Sequence, residues 1–338
     1  MEQTPKVSVI IPCYNEEKTI GLLLNSLLHQ TYPLEQMEVV IADGMSEDNT
    51  RDKITRFAEE NHGLKIRVVD NLKRTIPSGL NVAIRASRGE FIVRLDAHSV
   101  PHPEYVARSI SDLEHHLGDN VGGVWQIAPG RAGWVAESIA AAASHRLGVG
   151  DAKYRYADTA GEADTVPFGA FRRSLFDQLG GFDESLLTNE DYEFNTRIRM
   201  MGGKLWLNPA IQVKYFARPT LGQLAKQYWR YGFWKVKMLQ RYPGSLRWRQ
   251  ALPPLFVLGL IFLALAAIWI PAAGTLFITA VVLYGLALVL SGLDVVSQKG
   301  KGYLLLGVPL AITVMHFSWG SAFIWSLITS IFSPKRPA

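Results

Sequence analysis

The stretch "VSVIIPCYNEEKTIGLLLNSLL", Val7 to Leu28, decides the fold. Its first half is a short β-branched run closed by Pro12, as in a strand covered on both faces. Glu16 and Glu17 then open a helix whose Ile20, Leu23, Leu24, Leu27 and Leu28 recur at helical spacing. The alternation continues outward. "MEVVIAD" (37–43) precedes "SEDNTRDKITRFAEE" (46–60), with Ser46 and Asp48 as candidate helix caps. "KIRVVD" (65–70), a helix near Ser78 to Ala86, and "EFIVRLDAH" (90–98) follow. Strand and helix in this order predict an α/β domain with a mostly parallel sheet and helices on both faces. Ligands in such sheets sit beyond the carboxyl ends of the strands. Those ends read Pro12-Cys13-Tyr14-Asn15, Asp43-Gly44 and Asp96-Ala97-His98, three polar termini expected to meet on one edge.

Beyond residue 250 the composition changes. No charged residue lies between Arg249 and Asp294, or between Lys301 and Lys335. A helix of about 20 apolar residues spans the hydrocarbon core of a bilayer. "LPPLFVLGLIFLALAAIWI" (252–270) and "GTLFITAVVLYGLALVLSG" (274–292) each meet that length, with a break near Pro271. "YLLLGVPLAITVMHFSWGSAFIWSLITSIF" (303–332) is one long crossing, or a crossing with a re-entrant second half. His316 inside it reads either as a functional intramembrane group or as a neutral imidazole bonded to a backbone carbonyl.

Charge placement orients these helices. Of the 338 residues, those from 194 to 293 include no acid, while 197–249 carry twelve Lys and Arg. Basic residues beside a first membrane helix stay in the cytoplasm and attract anionic headgroups, so membrane lipid rather than nucleic acid is the expected partner. On this topology the Lys299/Lys301 loop is cytoplasmic and Lys335/Arg336 fall outside. The opening residues lack a leader pattern, so no signal peptide is expected. The one cysteine, Cys13, suits a reducing compartment.

Between these parts, "VGGVWQIAP" (121–129) is strand-like, and "GWVAESIAAAASHRLGV" (133–149) is a small-residue helix. "NEDYEFNTRIRMMGG" (189–203) is a helix, and "LGQLAKQYWRYGFWKVKMLQR" (221–241) an amphipathic interfacial one. The expected organisation is therefore a domain over 1–219, an interfacial helix region over 220–250, and a membrane region over 251–334 with about three helices.

Together "VSVIIPCYNEE", "IADGMSEDNT", "LDAH", "GAFRR…GGFDE", "NEDYEFNTRIR" and "QYWRYG" resemble the inverting family 2 glycosyltransferases of the GT-A fold. The likeness is greatest to the membrane-bound succinoglycan-type glucosyltransferases, which extend polyprenyl-diphosphate-linked sugars. It covers about residues 6–240 and the hydrophobic tail.

The resemblance implies a nucleotide-sugar pocket. Pro12 and Tyr14 would pack on the base, while Glu16 and Asp43 would accept base and ribose hydrogen bonds, as ionised carboxylates do well. Glu16 also reads simply as an acid complementing a helix N-terminus. Asn81 matches the family's asparagine, without the Ala-Arg that usually precedes it. "LDAH" stands where the family carries Asp-x-Asp, so that Asp96 would touch ribose or metal and His98 would be the metal ligand beyond it. Histidine there favours Mn²⁺ over Mg²⁺, which prefers oxygen. Asp191 is the implied base, with Glu190 beside it. Gly169 and Phe171 would line the acceptor side. "QYWRYG" resembles the Gln-x-x-Arg-Trp signature, with Gln227 and Arg230 on one helix face and Tyr231 in the tryptophan position.

The implied activity is hexosyl transfer from a nucleotide-diphosphate sugar, UDP-linked by expectation, to a polyprenyl-diphosphate-linked saccharide. The implied setting is the cytoplasmic face of the inner membrane, in exopolysaccharide or glycan assembly. A polyprenyl-phosphate sugar synthase, a processive polysaccharide synthase and a non-catalytic nucleotide-binding scaffold remain as alternatives.

Overall fold

A computed structural model describes residues 4–332. They form two compact units. The first comprises the chain up to Gln126 together with Lys153–Tyr215, and the second Ile127–Ala152 with the chain from Phe216 onward.

The first unit is built on the expected alternation. Strands β1 (Val7–Cys13), β2 (Met37–Asp43), β3 (Lys65–Asp70), β4 (Phe91–Arg94), β5 (Val100–Pro101), β6 (Asn120–Pro129), β7 (Gly161–Glu162), β8 (Ala170–Arg172) and β9 (Leu205–Ala217) join one sheet. Its order is β3-β2-β1-β4-β8-β6-β9-β5, with β7 beside β9. The half nearest β1 is parallel, pairing Cys13 with Asp43 and Ile10 with Arg94. β8 then runs antiparallel to β4, setting Ala170 against Val93. Successive side chains of β1 point to opposite faces, and each face has its own core. Val7, Val9 and Ile11 join Ile20, Leu23, Leu24 and Leu27 of α1 (Ile20–Leu28). Ile10 meets Leu80, Ala83 and Ile84 of the later helix Ile76–Ala86 on the other side.

In chain order that helix is α3, after α2 (Thr50–Glu60) and before α4 (Tyr105–Glu114). The N-cap of α2 is Asn49, while Asp48, one residue earlier, accepts from the Thr50 amide. Ser46, the other candidate, turns back to Asp43 instead. The remaining helices are α5 (Trp134–Ser144), α6 (Arg146–Val149), α7 (Arg173–Leu179), α8 (Glu190–Met200), α9 (Leu221–Leu239), α10 (Trp248–Ala266), α11 (Pro271–Lys299) and α12 (Leu304–Phe332).

The second unit gathers α5, α6 and α9–α12. Residues 127–152 pack with the C-terminal helices, because the alanines of α5 present a flat face. Ile139, Ala140, Ala141 and Ala142 share a core with Leu224, Leu288, Val308 and Ile312. At Gly232 the backbones of α9 and α12 approach so closely that a Cβ would strike the Trp319 carbonyl oxygen. Small residues at a helix crossing allow this approach.

Three helices, α10, α11 and α12, are long and apolar enough to cross a membrane. α12 runs unbroken through Pro309 to the end of the described residues, so no re-entrant break interrupts it. Two ion pairs and a histidine–carboxylate contact tie 127–152 to the helix ends: Asp151 with Arg249 before α10's apolar run, Glu137 with Lys301 before α12, and His145 beside Asp294 late in α11. The start of α10, the end of α11 and the start of α12 therefore lie on one side. Lys335 and Arg336 lie outside the described residues. His316 has both nitrogens engaged: Nε2 donates to the Leu147 carbonyl at 3.0 Å, and Nδ1 accepts from the Tyr284 hydroxyl at 3.1 Å. A neutral imidazole meets both bonds.

Candidate active site

The candidate site lies at the carboxyl end of β1, which has β2 on one side and β4 on the other. At its floor, Asp43 is fully buried. Its carboxylate accepts from the Ser46 hydroxyl, the Ser46 amide at 3.0 Å and Arg51 Nε. Arg51 reaches on to Asp70 at 2.6 Å. Asp43 is thus the hub of the strand-end turn, with donors of its own chain on both oxygens. The surface above belongs to Tyr14, 42% exposed, resting on Gly44 with the Arg74 guanidinium 5.9 Å from its ring. Pro12 lies half-buried beneath, against α3. Asn15, at φ +53°, turns the chain out of β1 and ties to Ser46 and Glu47.

That turn delivers Glu16 to His98. Glu16 Oε1 lies 3.1 Å from His98 Nδ1, and Oε2 accepts from the Thr19 hydroxyl.

On the other side of β1, Arg94 ends β4 inside the protein, only 2% exposed. Its Nη2 donates to Asp96 Oδ1 at 3.2 Å and to Glu190 Oε1 at 2.8 Å. The Phe168 ring lies 5.8 Å from the guanidinium, and Arg94 Nε and Nη1 are buried without a hydrogen-bond partner among the described residues. Phe168 and Gly169 both hold positive φ, +60° and +90°. The bend lets the Gly169 carbonyl accept from the Arg94 amide at 3.0 Å. A side chain at Gly169 would strike Asn120, 2.5 Å away.

Asp191 follows Glu190 in the first turn of α8, which begins after Asn189 at φ +70°. It is partly exposed at its surface, yet closely surrounded by protein. Burial first, and then the Glu190 carboxylate, push its carboxyl up to about 6, while Arg94 pulls the other way. A carboxylate so placed is a proton acceptor near neutral pH.

The sequence profile of Glycosyl transferase family 2 matches residues 8–180, which span all three strand ends and Gly169. The chain belongs to this family. It is 30% identical over 322 residues to the succinoglycan biosynthesis protein ExoA of Rhizobium meliloti (strain 1021), covering 93% of each chain. It is also 26% identical over 329 residues to a Methanococcus voltae transferase, covering 95% of this chain and 97% of the relative. That relative is named as a dolichyl N-acetyl-alpha-D-glucosaminyl phosphate 3-beta-D-2,3-diacetamido-2,3-dideoxy-beta-D-glucuronosyltransferase. In fold it is similar to the mannosyltransferase PcManGT of Pyrobaculum calidifontis, solved with GDP-Man and Mn²⁺. The TM-score is 0.66 at 22% identity, over 96% of this chain and 88% of that one. The fold is GT-A and the protein is a glycosyltransferase.

For this family 2 glycosyltransferase, the donor chemistry of Asp96 and His98 is compatible with a divalent ion that a substrate would help to hold. Among the described residues no three His, Cys, Asp or Glu side chains form a closed cage. Asp96 and His98 would supply one oxygen and one nitrogen ligand to such an ion. That is the donor set of an ion completed by phosphate oxygens and water.

Two residues expected at the site, Asn81 and Phe171, are buried in the fold. Asn81 is buried and joins α3 to the loop before α8. Its amide donates to the Phe182 carbonyl and to Glu184, both at 2.9 Å, and its oxygen accepts from the Phe182 amide at 2.8 Å. Phe171 is fully buried in the core, 5.1 Å from Phe194 ring to ring, because it alternates inward on β8. It lines no acceptor surface, which corrects that expectation. Gln227, Arg230 and Tyr231 lie on α9 in the second unit, where Gln227 donates to the Tyr231 hydroxyl at 2.9 Å. Glu193, beside the expected base, grips Arg197 at 2.6 Å; Arg197 in turn holds the Leu179 carbonyl at 2.7 Å. Arg94 is the residue that sequence reasoning missed. Its signal was a lone cation inside the apolar run "FIVRL", since a buried charge requires partners.

Proposed function

We propose that the enzyme transfers a sugar, with inversion, from a nucleotide-diphosphate sugar to a polyprenyl-diphosphate-linked saccharide. The donor we favour is a UDP-sugar. The setting is the cytoplasmic face of the inner membrane, in exopolysaccharide or glycan assembly. One observation carries this reading: Arg94 Nη2 touches both Asp96 at the donor strand end and Glu190 beside the base, making one site of the two.

The nucleoside stacks on Tyr14 over the turn that Asp43 holds. Asp96 and His98 take the divalent ion, Mn²⁺ in preference to Mg²⁺, since imidazole is a softer ligand. When bound, that ion supplies positive charge to the departing diphosphate. Asp191 accepts the proton of the acceptor hydroxyl as its oxygen bonds to the anomeric carbon. The carbon–diphosphate bond breaks on the opposite face, and the electron pair leaves with the diphosphate. An α-linked donor therefore gives a β-linkage.

Three apolar helices and the basic α9 support a membrane-bound acceptor. So does the ExoA relative in succinoglycan biosynthesis, and so does the phosphodolichol-linked sugar in the archaeal relative's name. Gln227, Arg230 and Tyr231 are proposed to engage the acceptor diphosphate, a task for which an Arg fork is suited. A donor screen tests the reading, using purified enzyme, UDP- and GDP-sugars, Mn²⁺ and a polyprenyl-diphosphate sugar, with products read by mass. Failure of every donor to extend the acceptor sinks it.

A further inference from the structure

Glu16 has contacts within the fold that its position in "CYNEE" does not foretell. One carboxylate oxygen faces His98 Nδ1 at 3.1 Å, and the other is held by the Thr19 hydroxyl. Its backbone is fixed as well, with the Glu16 amide donating to the Thr50 hydroxyl at 2.8 Å. Glu16 thus stands between α1, the start of α2 and the residues after β4.

An ionised carboxylate only accepts hydrogen bonds, so the bond requires the proton of a neutral His98 to sit on Nδ1. The lone pair is then on Nε2. A histidine that donates its other ring N–H to a carboxylate is the usual supporting arrangement for a metal ligand, fixing tautomer and ring orientation and raising ligand basicity. We propose that Glu16 is a positioning residue for the donor metal: it holds His98 as the Nδ1–H tautomer, so that Nε2 is the ligating nitrogen. The inference rests on the metal reading of Asp96 and His98 above and gives Glu16 a part in it. It also supplies a reason for the histidine. A second aspartate at 98 would face Glu16 as a like charge, whereas an imidazole makes Glu16 its support.

The test is Mn²⁺ binding, followed by electron paramagnetic resonance on the purified full chain with saturating UDP, alongside UDP affinity measured in EDTA. Glu16→Ala should weaken Mn²⁺ binding about 10- to 100-fold. Glu16→Gln keeps an acceptor oxygen for Nδ1–H and should restore most of that loss. In a His98→Ala background, Glu16→Ala should add nothing. UDP affinity without metal should be the same in all variants, and thermal melting checks that each is folded. Three results overturn the proposal: wild-type Mn²⁺ affinity in Glu16→Ala, equal losses for Gln and Ala, or weaker UDP binding in EDTA. If His98→Ala abolishes Mn²⁺ binding while Glu16→Ala does not, only the role of Glu16 falls. If the wild type takes up no Mn²⁺ with UDP, the metal reading falls with it.

Discussion

Arg94 donates to Glu190 at 2.8 Å, and both groups are buried, so the last residue of β4 and the first of α8 form one ion pair across 96 residues of chain. Removing one partner of such a pair strands the other charge in a poor solvent, which typically costs about 3–5 kcal/mol. Arg94→Met should therefore lower thermal stability markedly, and Glu190→Gln added to it should recover a large share. Chemical denaturation of the single and double variants measures this. Additive losses would mean that the two side chains are not coupled.

In the proposed role of base, Asp191 would set the pH limit of the reaction. Its carboxyl titrates at about 6, raised above the ordinary range by burial and Glu190. A base must be ionised, so the transfer rate should level off above pH 7 and fall about tenfold per unit well below 6. The stability effect has the opposite sense. A folded-state value above the unfolded one means that ionisation opposes folding at neutral pH; the penalty fades as pH falls through the folded value and is gone below the unfolded one. Asp191→Asn should thus be at least as stable as the wild type at pH 7–8, with the gap closing near pH 4. Melting curves across that range check the sign.

Tyr14 and Phe171 were both expected in the site, and the structure separates them. Phe171→Ala opens a cavity in a closed core and should cost about 3–5 kcal/mol. Tyr14→Ala, at an exposed ring, should leave stability within about 0.5 kcal/mol while weakening nucleotide binding several-fold. Paired denaturation and nucleotide titration distinguish the two roles.

His316 has a structural assignment that can be tested apart from activity. His316→Leu keeps volume but removes the donor to the half-buried Leu147 carbonyl, a loss of about 1 kcal/mol. Detergent-solubilised enzyme should melt earlier and retain its nucleotide affinity. Lost nucleotide binding with unchanged melting would point to a functional imidazole instead.

Much of this was legible because it is local. The β-branched run of β1 and the Ile20–Leu27 spacing of α1 each follow from a few adjacent residues, and parallel pairing then brings the strand ends together. What depended on distant partners was not. Asn81 bonds to residues 101 and 103 positions away, so no neighbouring sequence shows that its amide is occupied within the fold. Residues 127–152 read as part of the soluble domain because alanine suits any helix. Their place was set by the flat face they offer to α12. Arg94 was visible as an anomaly in a strand, but its meaning came from Glu190.

The central claim is that Asp191 takes the acceptor proton in a site shared with the donor strand ends. Mass-detected transfer to a polyprenyl-diphosphate sugar, comparing wild type with Asp191→Asn at matched nucleotide affinity, tests it most directly. The expected result is one sugar added by the wild type, and a rate about 10²- to 10⁴-fold lower in the variant. Turnover by Asp191→Asn at the wild-type rate would contradict it.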